Sequence, residues 1–343
     1  MSVPLECELQ KLQGFASHGS RVLCGPYEVE RTSKQPRQSR LWRQSRRQRP
    51  ERRYHWISQR VLLVLGSVPL ILAPSGLVAF PSGGTGPDMH LILRKRIQPR
   101  ESSSTWNEVN SERTFALSGS AILVTDMWDK HWCRGATERV GQIALRMEPL
   151  LEKARAAGIL IIHAPSETMD YYASSEGRQL ARSAPHFDPP EAAPLHNPPL
   201  PIDDSNGGCD TPGDIEHRAW SRETSLLTTA PGDVISDSGT EIYNVLRQRG
   251  IHTIFYMGVH ANMCILNRSF GIRQMARWGF HCILVRDLTD AMYESSSRPF
   301  VSHAAGTELV IEYIEQHWAP TVTSAQMMQS LPDNAKKDPV KSH

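Results

Sequence analysis

From about Ser118 to the C-terminus, short apolar runs alternate with longer segments whose apolar residues recur every three or four positions. The runs AILVTD, ILIIHAP, TIFYMGV and HCILVRD are almost continuously apolar and too short for core helices, the pattern of strands covered on both faces. Between them, ATERVGQIALRMEPLLEKARAAG and TEIYNVLRQRG carry helical spacing and close on Gly158 and Gly250, residues suited to end a helix. NMCILNRSFGIRQMARWG and PFVSHAAGTELVIEYIEQHW predict two further helices. HLILRKRIQ alternates apolar and polar residues and predicts an edge strand, and PTVTSA predicts another. Strands alternating with amphipathic helices imply a parallel sheet with right-handed crossovers. The predicted fold is therefore α/β, a Rossmann-like three-layer α/β/α sandwich with a mainly parallel sheet.

The rest of the chain breaks this rhythm. Pro165 to Pro231 is rich in proline and too long for a plain connection, so it is expected to be functional or lid-forming. Residues 1–60 hold 13 Lys and Arg against 5 Asp and Glu, so the net charge of +2 hides a basic arm on an acidic body. That arm has no apolar periodicity and is expected to be disordered. Val61 to Phe80 is apolar over about the span of a bilayer. It predicts an export signal or an anchor, with any membrane contact limited to 61–80 and the body outside the cytoplasm; without a signal, the body would stay cytoplasmic. The expected organisation is a basic arm (1–60), an apolar segment and linker (61–88), a catalytic domain (89–324) and a polar tail (325–343). The arm lacks aromatic interleaving and any nucleic-acid motif, so no nucleic-acid partner is expected.

Ligands in doubly wound sheets bind beyond the carboxyl ends of the strands. Asp126, His163, Val259 to Cys264 and Asp287 all fall at such ends. GVHANMC runs from a strand into the first turn of a helix, where free N–H groups favour a thiolate and can hold an oxyanion. Cys264 is thus a candidate nucleophile, with N–H groups around Met263, Cys264 and His260 as a candidate oxyanion hole; a buried core cysteine is the alternative. Asp126 is either the base for that thiol or a loop-ordering acceptor. DMWDKHWC gathers further groups. Trp128 is a candidate pocket wall, or core. Asp129 and His131, with His163, are possible ligands for a divalent metal, although no metal is required. PIDDSNGGCDTP offers Asp203 and Asp204 as substrate-loop residues, or a simple solvated turn. Cys133 and Cys209 lie in loops that could pair if the body is exported.

ILVTDMWD and GVHANMCILN resemble the first-strand and nucleophile motifs of the isochorismatase-like cysteine hydrolases, and ARAAGILIIHAP, LRQRGIHTIFYMG and TVTSA resemble the neighbouring elements. The resemblance covers about Ser118 to Ser324. It implies a Cys–Asp–Lys triad that cleaves small amide-like C–N bonds through a thioester, with Cys264 as nucleophile and Asp126 as base. It implies a cis peptide at Val259–His260, a small-molecule substrate and a possible homo-oligomer. The Lys has no match: Ser236 and Asp237 stand where it is expected. Lys130, one helical turn from Asp126, is the candidate substitute, with Arg222 second. A protein on this fold without the cation would be an altered or non-catalytic binder.

Overall fold

The computed structural model describes residues 87–333 apart from 101, 102, 192, 193, 195 and 196. The expected basic arm, the apolar segment at 61–80 and the last ten residues lie outside the described residues. Among the described residues, no helix is long and apolar enough to cross a membrane.

Eight strands form one sheet: β1 (Asp88–Ile97), β2 (Asn107–Ala116), β3 (Ser120–Thr125), β4 (Leu160–Ala164), β5 (Val234–Ile235), β6 (Thr253–Val259), β7 (His281–Asp290) and β8 (Thr321–Val322), in the order β2-β1-β8-β7-β6-β3-β4-β5. From β8 to β5 all pairings are parallel, and only β1 runs the other way, antiparallel to both β8 and β2. The helices are α1 (Arg134–Ala156), α2 (Glu176–Ser183), α3 (Gly239–Gln248), α4 (Cys264–Asn267), α5 (Ile272–Arg277), α6 (His303–His317) and α7 (Ser324–Ser330).

The unbroken apolar strands follow from having a core on each side. Ala121 and Leu123 of β3, Leu160 and Ile162 of β4, and Ile254 and Tyr256 of β6 face a cluster shared with α3, α5 and α6. Their neighbours Ile122, Val124, Ile161, Phe255 and Met257 face the opposite cluster, shared with α1 and α7. A period of two therefore places every apolar side chain of these strands in one core or the other. This is the three-layer sandwich the pattern predicted.

Several boundaries differ from expectation. HLILRKRIQ belongs to β1, which lies inside β2 instead of at the edge. The edge is β2, exposed along nearly its whole length. PTVTSA contains β8, which is interior, between β7 and β1. The expected polar tail from 325 begins instead with α7, whose Met327 is buried, followed by buried Leu331. Asp287 lies within β7 and turns to α7, accepting from Ser324 N at 2.8 Å. The predicted single helix from Cys264 is broken into α4 and α5, with Arg268 capping the end of α4 and Gly271 opening α5.

The strand order reverses direction at β3 and β6: from β3 the chain builds outward through β4 and β5, and from β6 outward through β7 and β8. Doubly wound sheets open a crevice at such a point. Asp126 follows β3 and Cys264 follows β6, so the topology alone brings both to that crevice. Close approach of the two strands depends on Gly258, paired in register with Thr125. Its φ of +109° suits glycine, and a Cβ there would meet the Thr125 carbonyl oxygen at 2.1 Å.

Candidate active site

Asp126 leaves β3 with φ +48°, a conformation costing about 1–3 kcal/mol for a non-glycine residue and kept only where the surroundings enforce it. Its own N–H donates to Ala164 O at 3.2 Å. The fully buried carboxylate accepts from Ser166 N at 2.7 Å on Oδ1 and from Arg268 Nε at 3.2 Å on Oδ2. The Cys264 thiol lies beside the same carboxylate, close enough for each group to shift the other's pKa. Across the crevice, the Val259–His260 peptide is cis, at the bond where the motif resemblance implied it.

Burial raises the Asp126 pKa, opposed by the Arg268 charge and by hydrogen bonds from Cys264 and Ser166. Burial and then the neighbouring carboxylate push the Cys264 thiol far up, only partly offset by Arg268. Both shifts favour the protonated form of each group, so the thiol keeps its proton at rest. This corrects the expectation of a resting thiolate held by its helix. That helix has four residues, too few to build an appreciable dipole.

The cation beside Asp126 is Arg268, which the sequence reading missed. It stands four residues after Cys264, and the break between α4 and α5 turns it toward the carboxylate. The i to i+4 spacing was the available signal. Its Nη1 also reaches Glu167 Oε1 at 3.3 Å. The expected substitutes lie elsewhere. Lys130 is exposed. Arg222 donates to Tyr171 Oη at 3.0 Å and packs over that ring. Ser236 and Asp237, at the place implied for a Lys, bind other groups: Ser236 donates its N–H to His163 O at 3.1 Å, and Asp237 accepts from Glu167 N at 2.9 Å.

Of the three expected oxyanion donors, Met263 N–H is already given to His260 O at 3.0 Å. The His260 backbone acts on the Cys264 thiol in the direction that lowers its pKa. The Cys264 N–H opens α4 and has no partner within that helix. The His260 ring is buried, with its pKa lowered to about 3 by burial and by His131.

The proposed metal set does not assemble. Among the described residues the only cluster with ligand atoms within reach of one ion is Cys133, Cys209 and Asp214, and those two cysteines form a disulfide. Asp129 instead accepts from Ser221 N at 2.9 Å and Ser221 Oγ at 2.6 Å, which fixes the end of the long loop. His131 stacks with Trp220 at 5.9 Å, and burial and Arg139 lower its pKa to about 4. His163 is fully buried, with Nδ1 2.8 Å from Glu223 Oε2 and Nε2 3.4 Å from Asp233 Oδ2. Burial alone would lower its pKa, but Glu223 and Asp233 outweigh that and raise it to about 9. His163 thus packs between two carboxylates of the 165–233 segment.

Trp128 is buried, donates Nε1 to Ser166 O at 3.0 Å and stacks on Trp220 at 4.3 Å. Sequence gave no reason to single out Trp220 beyond its being an aromatic in a polar loop. Asp203 is an exposed turn residue accepting from Ser205 N at 3.0 Å. Asp204 reaches the nucleophile turn, where Oδ2 accepts from Asn262 Nδ2 at 2.7 Å.

No family model matches this chain, and neither does any curated protein. Its fold is similar to a solved cysteine hydrolase from Pseudomonas syringae pv. phaseolicola 1448A, at 21% identity and a TM-score of 0.43 over 63% of this chain and 94% of that one. It is similar to an isochorismatase family protein from Desulfovibrio vulgaris subsp. vulgaris str. Hildenborough, at 17% identity and 0.36 over 62% and 97%. A third likeness is to N-carbamoylsarcosine amidase from Thermoplasma acidophilum, at 13% identity and 0.33 over 60% and 96%.

Proposed function

We propose that the protein is a cysteine-dependent hydrolase that cleaves a small amide-like C–N bond. The observation that carries this reading is the meeting of Cys264 with the buried Asp126 carboxylate at the sheet's switch point, with Arg268 3.2 Å from that carboxylate. As the sulfur attacks the substrate carbonyl, its proton passes to Asp126, so the single negative charge moves without a second anion forming in the buried site. Arg268 balances that charge before and after the transfer. The developing oxyanion takes the Cys264 N–H. Protonated Asp126 then gives its proton to the departing nitrogen, leaving a thioester. Water attacks the thioester, Asp126 accepts a proton from it, and the acid departs as Cys264 recovers its hydrogen. The raised pKa of Asp126 suits this alternation between base and acid.

We also place the folded body in an oxidising compartment. The Cys133–Cys209 disulfide and the basic arm followed by an apolar segment both support that reading.

Turnover of a panel of small amides and ureido compounds by the wild type, Cys264→Ala and Asp126→Asn tests the proposal. The expected result is activity reduced at least about 10³-fold in both variants. Binding of such compounds without turnover, undiminished in Cys264→Ala, would identify a binding protein instead.

A further inference from the structure

We propose that the Cys133–Cys209 disulfide is a latch that keeps the nucleophile turn in working geometry, acting through Asp204 and Asn262, so that the oxidised protein is the competent form. This rests on the hydrolase reading of Cys264.

The bond joins residues 76 apart, the N-cap of α1 and the 201–214 loop. That loop has no helix or strand of its own. It supplies Asp204, whose carboxylate holds Asn262 Nδ2 at 2.7 Å. Asn262 lies two residues before Cys264. Its side chain also grips the Met292 backbone from both sides, donating to Met292 O at 3.0 Å and accepting from Met292 N at 2.9 Å. Between Asp204 and the disulfide, Gly208 lies so close to Met292 that a Cβ would meet its carbonyl oxygen at 2.3 Å.

Beyond the bond, Asp210 pairs with Arg139 at 2.6 Å, and Arg139 also holds Asp290 at 2.8 Å. The Asp290 carbonyl in turn accepts from Ala261 N at 2.7 Å. The loop thus grips the 260–264 turn at two points, and one covalent bond fastens the loop to α1. Asp204 and Asn262 are positioning residues: neither meets the reacting atoms, and both fix the backbone that presents the sulfur.

Cys209 is partly exposed and Cys133 is buried, so exchange begins at Cys209. A thiolate of a dithiol bonds to the Cys209 sulfur, and the S–S pair leaves on Cys133, which takes a proton. The second thiol then displaces Cys209, giving two protein thiols and an oxidised, cyclic reagent.

Hydrogen exchange by mass spectrometry, alkylation of Cys264 by iodoacetamide and amide turnover are compared for the wild type, dithiothreitol-reduced wild type and a C133S/C209S double variant. Loss of the bond is expected to speed exchange about tenfold or more in both 203–210 and 259–264, while β3 and β4 stay protected. Turnover should fall with it, and reoxidation of the reduced wild type should restore both. Asp204→Ala should loosen 259–264 with the disulfide intact, whereas Asp204→Asn, which keeps an acceptor, should not. Faster exchange confined to 203–210, with 259–264 and the Cys264 alkylation rate unchanged, would overturn the latch. Absence of turnover in the wild type would instead count against the hydrolase reading, and the exchange result would still decide the latch.

Discussion

Arg268 Nε lies 3.2 Å from the Asp126 carboxylate, one helical turn beyond Cys264. The same short helix therefore carries the sulfur at its start and the counter-charge at its end. A buried carboxylate facing a thiol needs such a partner, because either group's charge would otherwise be uncompensated.

Replacing that cation should reveal its share. Arg268→Gln is expected to lower kcat/KM about 10²- to 10³-fold, as Asp126 is left to neutralise by taking a proton. Arg268→Lys should recover part of the loss, since a point charge restores the field without the planar fork. Steady-state kinetics on any amide the wild type cleaves checks this; equal activity in Arg268→Gln would remove the cation from the mechanism.

The His163 cluster predicts alkaline weakening. A folded pKa of about 9, raised above an ordinary histidine's, contributes stability that is fully present below about pH 6.5 and is lost as pH rises through about 9. The loss is at most about 3 kcal/mol by the usual conversion of pKa shift to free energy. Urea midpoints at pH 6 and pH 9.5 should show it, and His163→Gln should flatten the difference. A midpoint that does not fall across this window would mean that His163 is neutral in the folded chain.

Gly258→Ala tests the closeness of β3 and β6. A methyl group 2.1 Å from the Thr125 carbonyl forces the two strands apart beneath Asp126 and Cys264. The variant should lose about 1–3 kcal/mol from backbone conformation alone, with activity falling further than stability. Thermal unfolding and kinetics together would show the split; wild-type values in both would mean that the strands tolerate the separation.

Much of this was legible along the chain. β3, β4, β6 and β7 declared themselves because each is buried on both faces, and their ends located Asp126 and Cys264. β2 was hidden, since a strand exposed on both sides has no reason to alternate. β5 has two residues, too few for any pattern. The α4–α5 break was masked because no proline marks it and Phe270 stands at helical spacing from Leu266. Arg268 was overlooked because a lysine was sought in another element, while the residue four positions past the nucleophile already fitted. Glu223 and Asp233, which charge His163, lie 60 and 70 residues from it in sequence. Only the folded loop brings them together.

In the proposed mechanism Cys264 is protonated at rest, and Asp126 both raises its pKa and receives its proton. The rate of iodoacetamide alkylation at Cys264, mapped by mass spectrometry against pH in the wild type and in Asp126→Asn, tests it most directly. The half-maximal pH should lie well above that of an ordinary thiol in the wild type and move down once the carboxylate is gone and Arg268 remains. A wild-type thiol that reacts at or below the ordinary range, or one unmoved by Asp126→Asn, would contradict it.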